Sequence, residues 1–235
     1  MWDSPRDLNA LANLIFFLAA ACLLYAAVSL FIRLPLFELR ELKVEGMTNH
    51  ISKDQVEFIV KRMRGNFFTL DIGGVRSDFE KLPWVRRVSV RRSWPHRLDV
   101  KIEEHVALAR WGTDQLVNTY GEVFDASTDA ALPHLSGPQG SSMDVAREYS
   151  TFSRTLLPIG RHVLNVTLSE RRSWELGLDD GMVIELGRDR MEQRLSDFAA
   201  LYERTVGHLD KRTNYVDLRY ENGFAVRVPG LKAAA

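Results

Sequence analysis

The chain has 235 residues, 46% of them hydrophobic and 26% charged, which is enough apolar side chain for one domain or two small ones. Lys+Arg and Asp+Glu both number 31, and this zero net charge argues against a nucleic-acid protein, whose phosphate contacts demand a basic excess. A single cysteine, Cys22, excludes an intramolecular disulfide; no Cys/His zinc spacing is present, and the composition excludes a disordered tail, a collagen and a coiled coil.

Residues 10–32, from Ala10 to Ile32, carry no charged side chain. A helix rising about 1.5 Å per residue needs ~20 residues to cross hydrocarbon, so this stretch is long enough for a membrane span. A cleaved signal peptide is the alternative, since Ala27-Val28-Ser29 passes as a small-x-small cleavage site. Against it, the run exceeds the usual ~7–15-residue signal core and no cluster of Lys or Arg precedes it. An uncleaved anchor is the expectation. Only Arg6 comes before the span, while Arg33, Arg40 and Lys43 follow it. Taken literally, the positive-inside rule keeps the C-terminal part in the cytoplasm, yet long domains translocate largely regardless of charge. Charge alone leaves the topology open.

After Leu34-Pro35, residues 37–45 suggest a strand through Leu39, Leu42 and Val44, ending at Gly46. Ser52 opens a helix with Gln55 three residues on, a capping-box pattern. Val56, Ile59, Val60 and Met63 follow at helical spacing, and Gly65 stops it. Val75, Phe79 and Leu82 mark a second short helix closed by Pro83. Strands at 85–94 and 98–103 are joined by the turn Trp94-Pro95-His96-Arg97. The order β-α-α-β-β over residues 37–105 forms one module.

Residues 106–230 read as a second, strand-rich module. Short strands are expected at 107–111, 115–118 and 123–124, then a loop from Asp125 to Ser142. A helix follows with Val145, Tyr149, Phe152 and Leu156 on one face. Strands at 163–168, 173–178 and 182–186 come next, with Asp180-Gly181 as a hairpin signal. Asp189 and Glu192 begin another helix, whose apolar face is Met191, Leu195, Phe198, Leu201 and Tyr202. A hairpin of 215–220 and 224–228 around Asn222-Gly223 closes the module. The fold class expected is α+β: one membrane helix, a β-α-α-β-β module and a mixed β domain with flanking helices.

Chemistry is sparse. The histidines, His50, His96, His105, His134, His162 and His208, stand singly, outside HExxH or any metal spacing. GxSxG, GxxxxGK[ST] and strand–GxGxxG–helix patterns are missing. Glu103-Glu104 and Asp179-Asp180 read as solvated charge and turn chemistry. Neither an enzyme nor a cofactor is expected.

Two surfaces stand out. One is the stretch PWVRRVSVRRSWPHRLDVKI, where Arg86, Arg87, Arg91, Arg92 and Arg97 accompany Trp84 and Trp94. It could hold nucleic acid, or be a twisted strand with Val88 and Val90 inward and arginines in water. With zero net charge no nucleic-acid binding is expected, and anionic lipid or an acidic protein face is the better match. The other is the last strand, with Val226 and Val228 on one face. At a sheet edge it would leave backbone groups free for a partner strand; a covered or simply solvated edge is the equal alternative.

These stretches carry a resemblance. The first module resembles a POTRA domain, and the whole order resembles the FtsQ/DivIB family of bacterial cell-division proteins in its proteobacterial form. The matching residues are PWVRRVSVRRSWPHRLDVKI, ARWG at 109–112, LVNTYGEVF at 116–124, RRSWEL at 171–176 and YVDLRYENG at 215–223. Ala107 departs from the family, which commonly has proline near this point. The resemblance implies an inner-membrane divisome scaffold without enzymatic activity, with residues 1–9 cytoplasmic and the modules periplasmic, acting at the midcell septum. It implies binding of FtsB and FtsL, linkage of early and late division proteins, and control of septal peptidoglycan synthesis. Other division proteins are implied to meet the POTRA surface. Carried over by motif, the partner-binding residues are Arg171, Tyr220, Asn222, Gly223 and Phe224, to which the strand argument adds Val226. Two rival readings are a membrane-anchored periplasmic enzyme and a POTRA-containing assembly or secretion component. The latter needs a long barrel that about 130 residues do not supply.

Overall fold

The computed structural model of the chain describes residues 5–32, 34, 37–46, 49–207, 213–221 and 223–227. These divide into two compact units at Glu104/His105.

Helix α1 spans Pro5–Ile32, and within it Asn9–Ile32 is long and apolar enough to cross a membrane, with none of it buried inside the protein. A helix apolar on every side and buried by no protein is what a bilayer, not a globular core, accommodates. The rest of the first unit is β1 (Glu41–Gly46), α2 (Lys53–Arg62), α3 (Ile72–Glu80), β2 (Val85–Ser93) and β3 (Arg97–Glu104). The sheet order is β1-β3-β2, with β1 parallel and β2 antiparallel to β3. Ile59, Val75 and Phe79 from the helices pack on Val88, Leu98, Val100 and Ile102 from the strands.

The capping box is present: Gln55 N donates to Ser52 Oγ at 3.2 Å and Ser52 N donates to Gln55 Oε1 at 2.9 Å. The first strand begins at Glu41, later than the sequence pattern suggested. Phe37 is instead drawn onto the loop after α2, its carbonyl accepting from Phe67 N at 2.8 Å and its ring lying 4.9 Å from that of Phe68. Gly46 ends β1 at φ 132°, where a Cβ would fall 1.9 Å from the carbonyl oxygen of Ile102. Only glycine fits there.

The arginine-rich strand is explained by its register. Val88 and Val90 stand opposite Ile102 and Val100 on the helix-covered face. On the outward face the charges alternate across strands. Glu41 faces Arg97, Lys43 faces Asp99, and Glu45 faces Lys101. Arg91 faces Asp99 and Arg87 faces Glu103. Opposite charges directly across a ladder contribute roughly 0.2–1 kcal/mol each. Arg92 has the other parity, and its Nη2 donates to the carbonyls of Leu70 (2.7 Å) and Phe68 (3.3 Å).

The second unit contains β4 (Ala107–Trp111), β5 (Gln115–Asn118), β6 (Val123–Phe124), β7 (His134–Ser136), α4 (Ser142–Leu156), β8 (Val163–Leu168), β9 (Trp174–Leu178), β10 (Val183–Gly187), α5 (Met191–Thr205), β11 (Tyr215–Asp217) and β12 (Ala225–Arg227). A short 3₁₀ helix, Leu157–Ile159, follows α4. The strands form one nine-stranded sheet in the order β12-β11-β10-β9-β8-β7-β4-β5-β6. Helices α4 and α5 pack on one face, burying Val145, Phe152, Leu195 and Phe198 against Val166, Leu176, Ile184 and Val216. Strand β7 lies inside the stretch expected to be loop. With three residues and one buried side chain, Leu135, it is too short to show a period. The closing hairpin is shorter than expected: Asp217 Oδ1 accepts from Arg219 N at 3.0 Å, an Asx-type turn that ends β11. Val228 lies outside the described residues.

Candidate partner-binding edge

Among the described residues, strand β12 is the last in the sheet and pairs on one side only, antiparallel to β11. The ladder fixes which backbone groups remain. On β11's far side, Val183 N donates to Asn214 O (3.0 Å) and Leu218 N donates to Glu185 O (2.8 Å). Even-numbered residues of β11 therefore turn their backbone toward β10, and Tyr215 and Asp217 turn theirs toward β12. Their opposite numbers are Arg227 and Ala225. Successive residues alternate, so Val226 presents its N–H and C=O away from the sheet. The free edge has a donor and an acceptor at Val226.

Side chains flank this edge on both faces. Val226 stands opposite Val216 and packs with Phe224 against the core beneath α5. The Phe224 ring is 5.4 Å from that of Phe198 at 88°, an edge-to-face contact. Beside it opens a groove of about 450 Å³ lined by Tyr220, Gly223 and Phe224 from the hairpin and by Arg194, Phe198 and Leu201 from α5. Tyr220 is 59% exposed, so its ring is already a wall of that groove.

On the opposite face, Glu175, Glu185 and Asp217 stand directly across from one another on β9, β10 and β11. Arg219 grips Asp217 through Nε (2.8 Å) and Nη2 (2.6 Å), holding its carboxyl below the usual carboxylate range. Burial, then the charge of Glu175, raises the Glu185 carboxyl above its ordinary value. Arg227 lies over the Tyr215 ring, 5.0 Å from its centroid. Ala225 continues this row onto β12 with no charge of its own.

The chain is similar to known proteins over almost its whole length. Residues 109–219 match the family model described as cell division protein FtsQ/DivIB, C-terminal, and residues 37–105 match the POTRA domain, FtsQ-type. A protein named cell division protein FtsQ from Nitrosospira multiformis is 42% identical, covering 97% of this chain and 99% of that one. Proteins of the same name from Burkholderia pseudomallei (40%, covering 99% and 96%) and Bordetella pertussis (35%, covering 98% and 94%) follow. The chain belongs to the FtsQ family of cell division proteins.

With the family shown, the first module is a POTRA domain of the FtsQ type. The structure brings together Tyr220, Gly223, Phe224 and Val226 at one edge; Asn222 lies outside the described residues. Arg171 is elsewhere. It occupies the exposed turn between β8 and β9, at the end of the sheet where β11 finishes and β12 begins. Three strand spacings separate β9 from β12, about 14 Å. A single added strand cannot meet both. Sequence reasoning placed Phe198 and Leu201 on the buried face of α5 and did not foresee that they also line a groove; Arg194 gave no signal at all.

Among the described residues no group of three His, Cys, Asp or Glu side chains could hold a metal ion. Histidines serve local structure. His50 Nδ1 lies 3.1 Å from Glu104 Oε2 and its ring stacks on Trp84 at 3.7 Å. His105 stacks on Phe124 at 4.1 Å and meets Asn118, and His162 pairs with Asp179 at 3.0 Å.

Proposed function

We propose that the chain is a bitopic, non-enzymatic scaffold of the bacterial inner membrane. Residues 1–9 are cytoplasmic and both modules periplasmic. It binds FtsB and FtsL at the division septum, links early and late division proteins, and takes part in controlling septal peptidoglycan synthesis. The observation that carries the reading is the open edge at Val226, backed by the groove of Tyr220 and Phe224. An extended FtsB segment would add a tenth strand there. Main-chain hydrogen bonds would supply affinity and the groove selectivity, with Tyr220 as a rigid aromatic anchor of the kind enriched at hot spots. Arg171 would grip an acidic side chain through a charge-assisted bond. Because it lies about 14 Å inward, that acid belongs to a second segment of the partner, running across the end of the sheet.

Two experiments test this. A phosphatase fused after Ala235 in the full chain is expected to be active, and a reporter that works only in the cytoplasm silent; the reverse overturns the orientation. Titrating the full chain in detergent with an FtsB peptide by calorimetry is expected to give saturable binding, and no heat at saturating peptide overturns the partner.

A further inference from the structure

Among the described residues of the POTRA module, two of the three large exposed aromatic side chains, Phe68 and Trp94, lie at the end that joins the span; the third, Phe58, sits on α2. Helix α1 finishes at Ile32, and the carbonyl of Ile32 accepts a hydrogen bond from the Asn66 side-chain amide. The loop after α2 is thereby tied to the end of the span. Ring contacts run the same way: Phe31, in the last turn of α1, is 5.5 Å from Phe37, and Phe37 is 4.9 Å from Phe68. Phe67 N donates to Phe37 O at 2.8 Å, and Phe67 itself is buried. Phe68 is 45% exposed beside this junction.

A second aromatic residue arrives from a different element. The β2–β3 turn lies next to the start of β1, since Arg40 N donates to His96 O at 3.0 Å and Glu41 stands opposite Arg97. Trp94 in that turn is 77% exposed. Arg92 joins the two features by donating from the end of β2 to the carbonyls of Phe68 and Leu70. Exposed Arg40 and Arg64 flank the same end. Aromatic rings with nearby cations are what the interface between lipid and water accepts: the ring sits at headgroup level and the guanidinium meets phosphate. In water, two such large exposed rings gain nothing from their exposure.

We propose that this end of the POTRA module is seated on the bilayer, with Phe68 and Trp94 entering the interfacial region and Arg40 and Arg64 meeting lipid phosphates. The occupant is lipid because the surface is continuous with the span through Phe31 and Phe37. Seating fixes the height and orientation of the module at the membrane and leaves the opposite end of its sheet, at Gly46 and Val85, turned away from it. It also gives the exposed Trp94 a use that neither nucleic acid nor the partner edge supplies. The proposal requires α1 to be a bilayer span and is independent of what binds at β12.

The test uses the full chain in nanodiscs of phosphatidylethanolamine and phosphatidylglycerol. Phe68, Trp94, Phe31 and Phe58 are replaced one at a time by p-benzoyl-phenylalanine, a photo-crosslinker that keeps an aromatic side chain. Phe31 in the span is the positive control, and Phe58, 61% exposed on α2, the negative one. Irradiation is expected to give lipid adducts by mass spectrometry at 31, 68 and 94 and none at 58. Adducts at 31 alone, or equally at all four positions, overturn the proposal. A measurement without the crosslinker guards against a misfolded variant: brominated lipid is expected to quench the unmodified chain's fluorescence more than that of Trp94→Phe. Equal quenching overturns the seating of Trp94.

Discussion

In the three-stranded POTRA sheet each charged side chain on the outward face of the strands has an opposite charge directly across a ladder. In the nine-stranded sheet three carboxylates stand side by side on β9, β10 and β11, and among the described residues no further strand takes up the outward backbone of Val226. Both surfaces look polar in the sequence, and the more densely charged is the more self-sufficient. Its outward-facing arginines, Arg87, Arg91 and Arg97, stand opposite acids of their own sheet. The region open to a partner strand is marked by backbone, by an edge position and by a groove. In this chain a run of charge is satisfied within its own sheet, whereas the edge strand offers ladder groups that a further strand can take up.

The largest effect is expected from Phe198→Ala, which removes a ring 1% exposed that backs both Tyr202 and Phe224. A loss of about 3–5 kcal/mol in denaturant unfolding of the second unit is expected, together with loss of partner binding because the edge loses its backing. Unchanged binding would mean that the groove does not shape the edge. Next come Tyr220→Ala and Arg171→Glu, each expected to weaken FtsB-peptide binding by roughly 1–4 kcal/mol without unfolding. Since Arg171 is an exposed charge remote from the edge, its effect should shrink with added salt while that of Tyr220 does not. Matching salt dependence would contradict the two-segment geometry.

On the other sheet, Asp99→Lys sets a cation among Lys43, Arg91 and Arg97. A cost of about 1 kcal/mol is expected in POTRA stability, with affinity at β12 unchanged. No loss of stability would show that the alternation of charge is incidental.

The smallest effect concerns pH. The carboxyl of Glu185 is raised, so between the ordinary value and the raised one the native state holds more protons than the unfolded chain. Stability then falls as pH rises through that window. Glu185→Gln should remove the fall and add about 0.2–1 kcal/mol at pH 7. Asp217 has the opposite sign: lowered by Arg219, its contribution is present above the ordinary carboxylate range and fades as pH drops through its lowered value. Unfolding curves of the wild type and Glu185→Gln from pH 3 to 7 separate the two.

Much of the fold was legible because its elements announce themselves locally. The capping box at Ser52, the apolar stripe on α5 and the alternation around Trp174 each describe one element with its own period. Strand β7 was not legible, since three residues with one buried leucine carry no period and are held by neighbours distant in sequence. The same limit applied to the site. Tyr220, Phe224 and Val226 could be grouped because they share a hairpin, but the position of Arg171 depends on how many strands intervene, which no local pattern states. That β12 is a sheet edge, and that Val226 rather than Ala225 turns its backbone outward, follows only from the register with β11 and β10.

The central claim is that the backbone of Val226 receives a partner strand, and Val226→Pro tests it most directly. Proline removes one N–H and fixes φ near −65°, which an edge strand tolerates when that N–H faces outward. Calorimetry of the full chain against an FtsB peptide should show affinity reduced roughly 10–100-fold, with the same circular dichroism and unfolding midpoint as the wild type. Equal affinity in a folded variant would contradict the account.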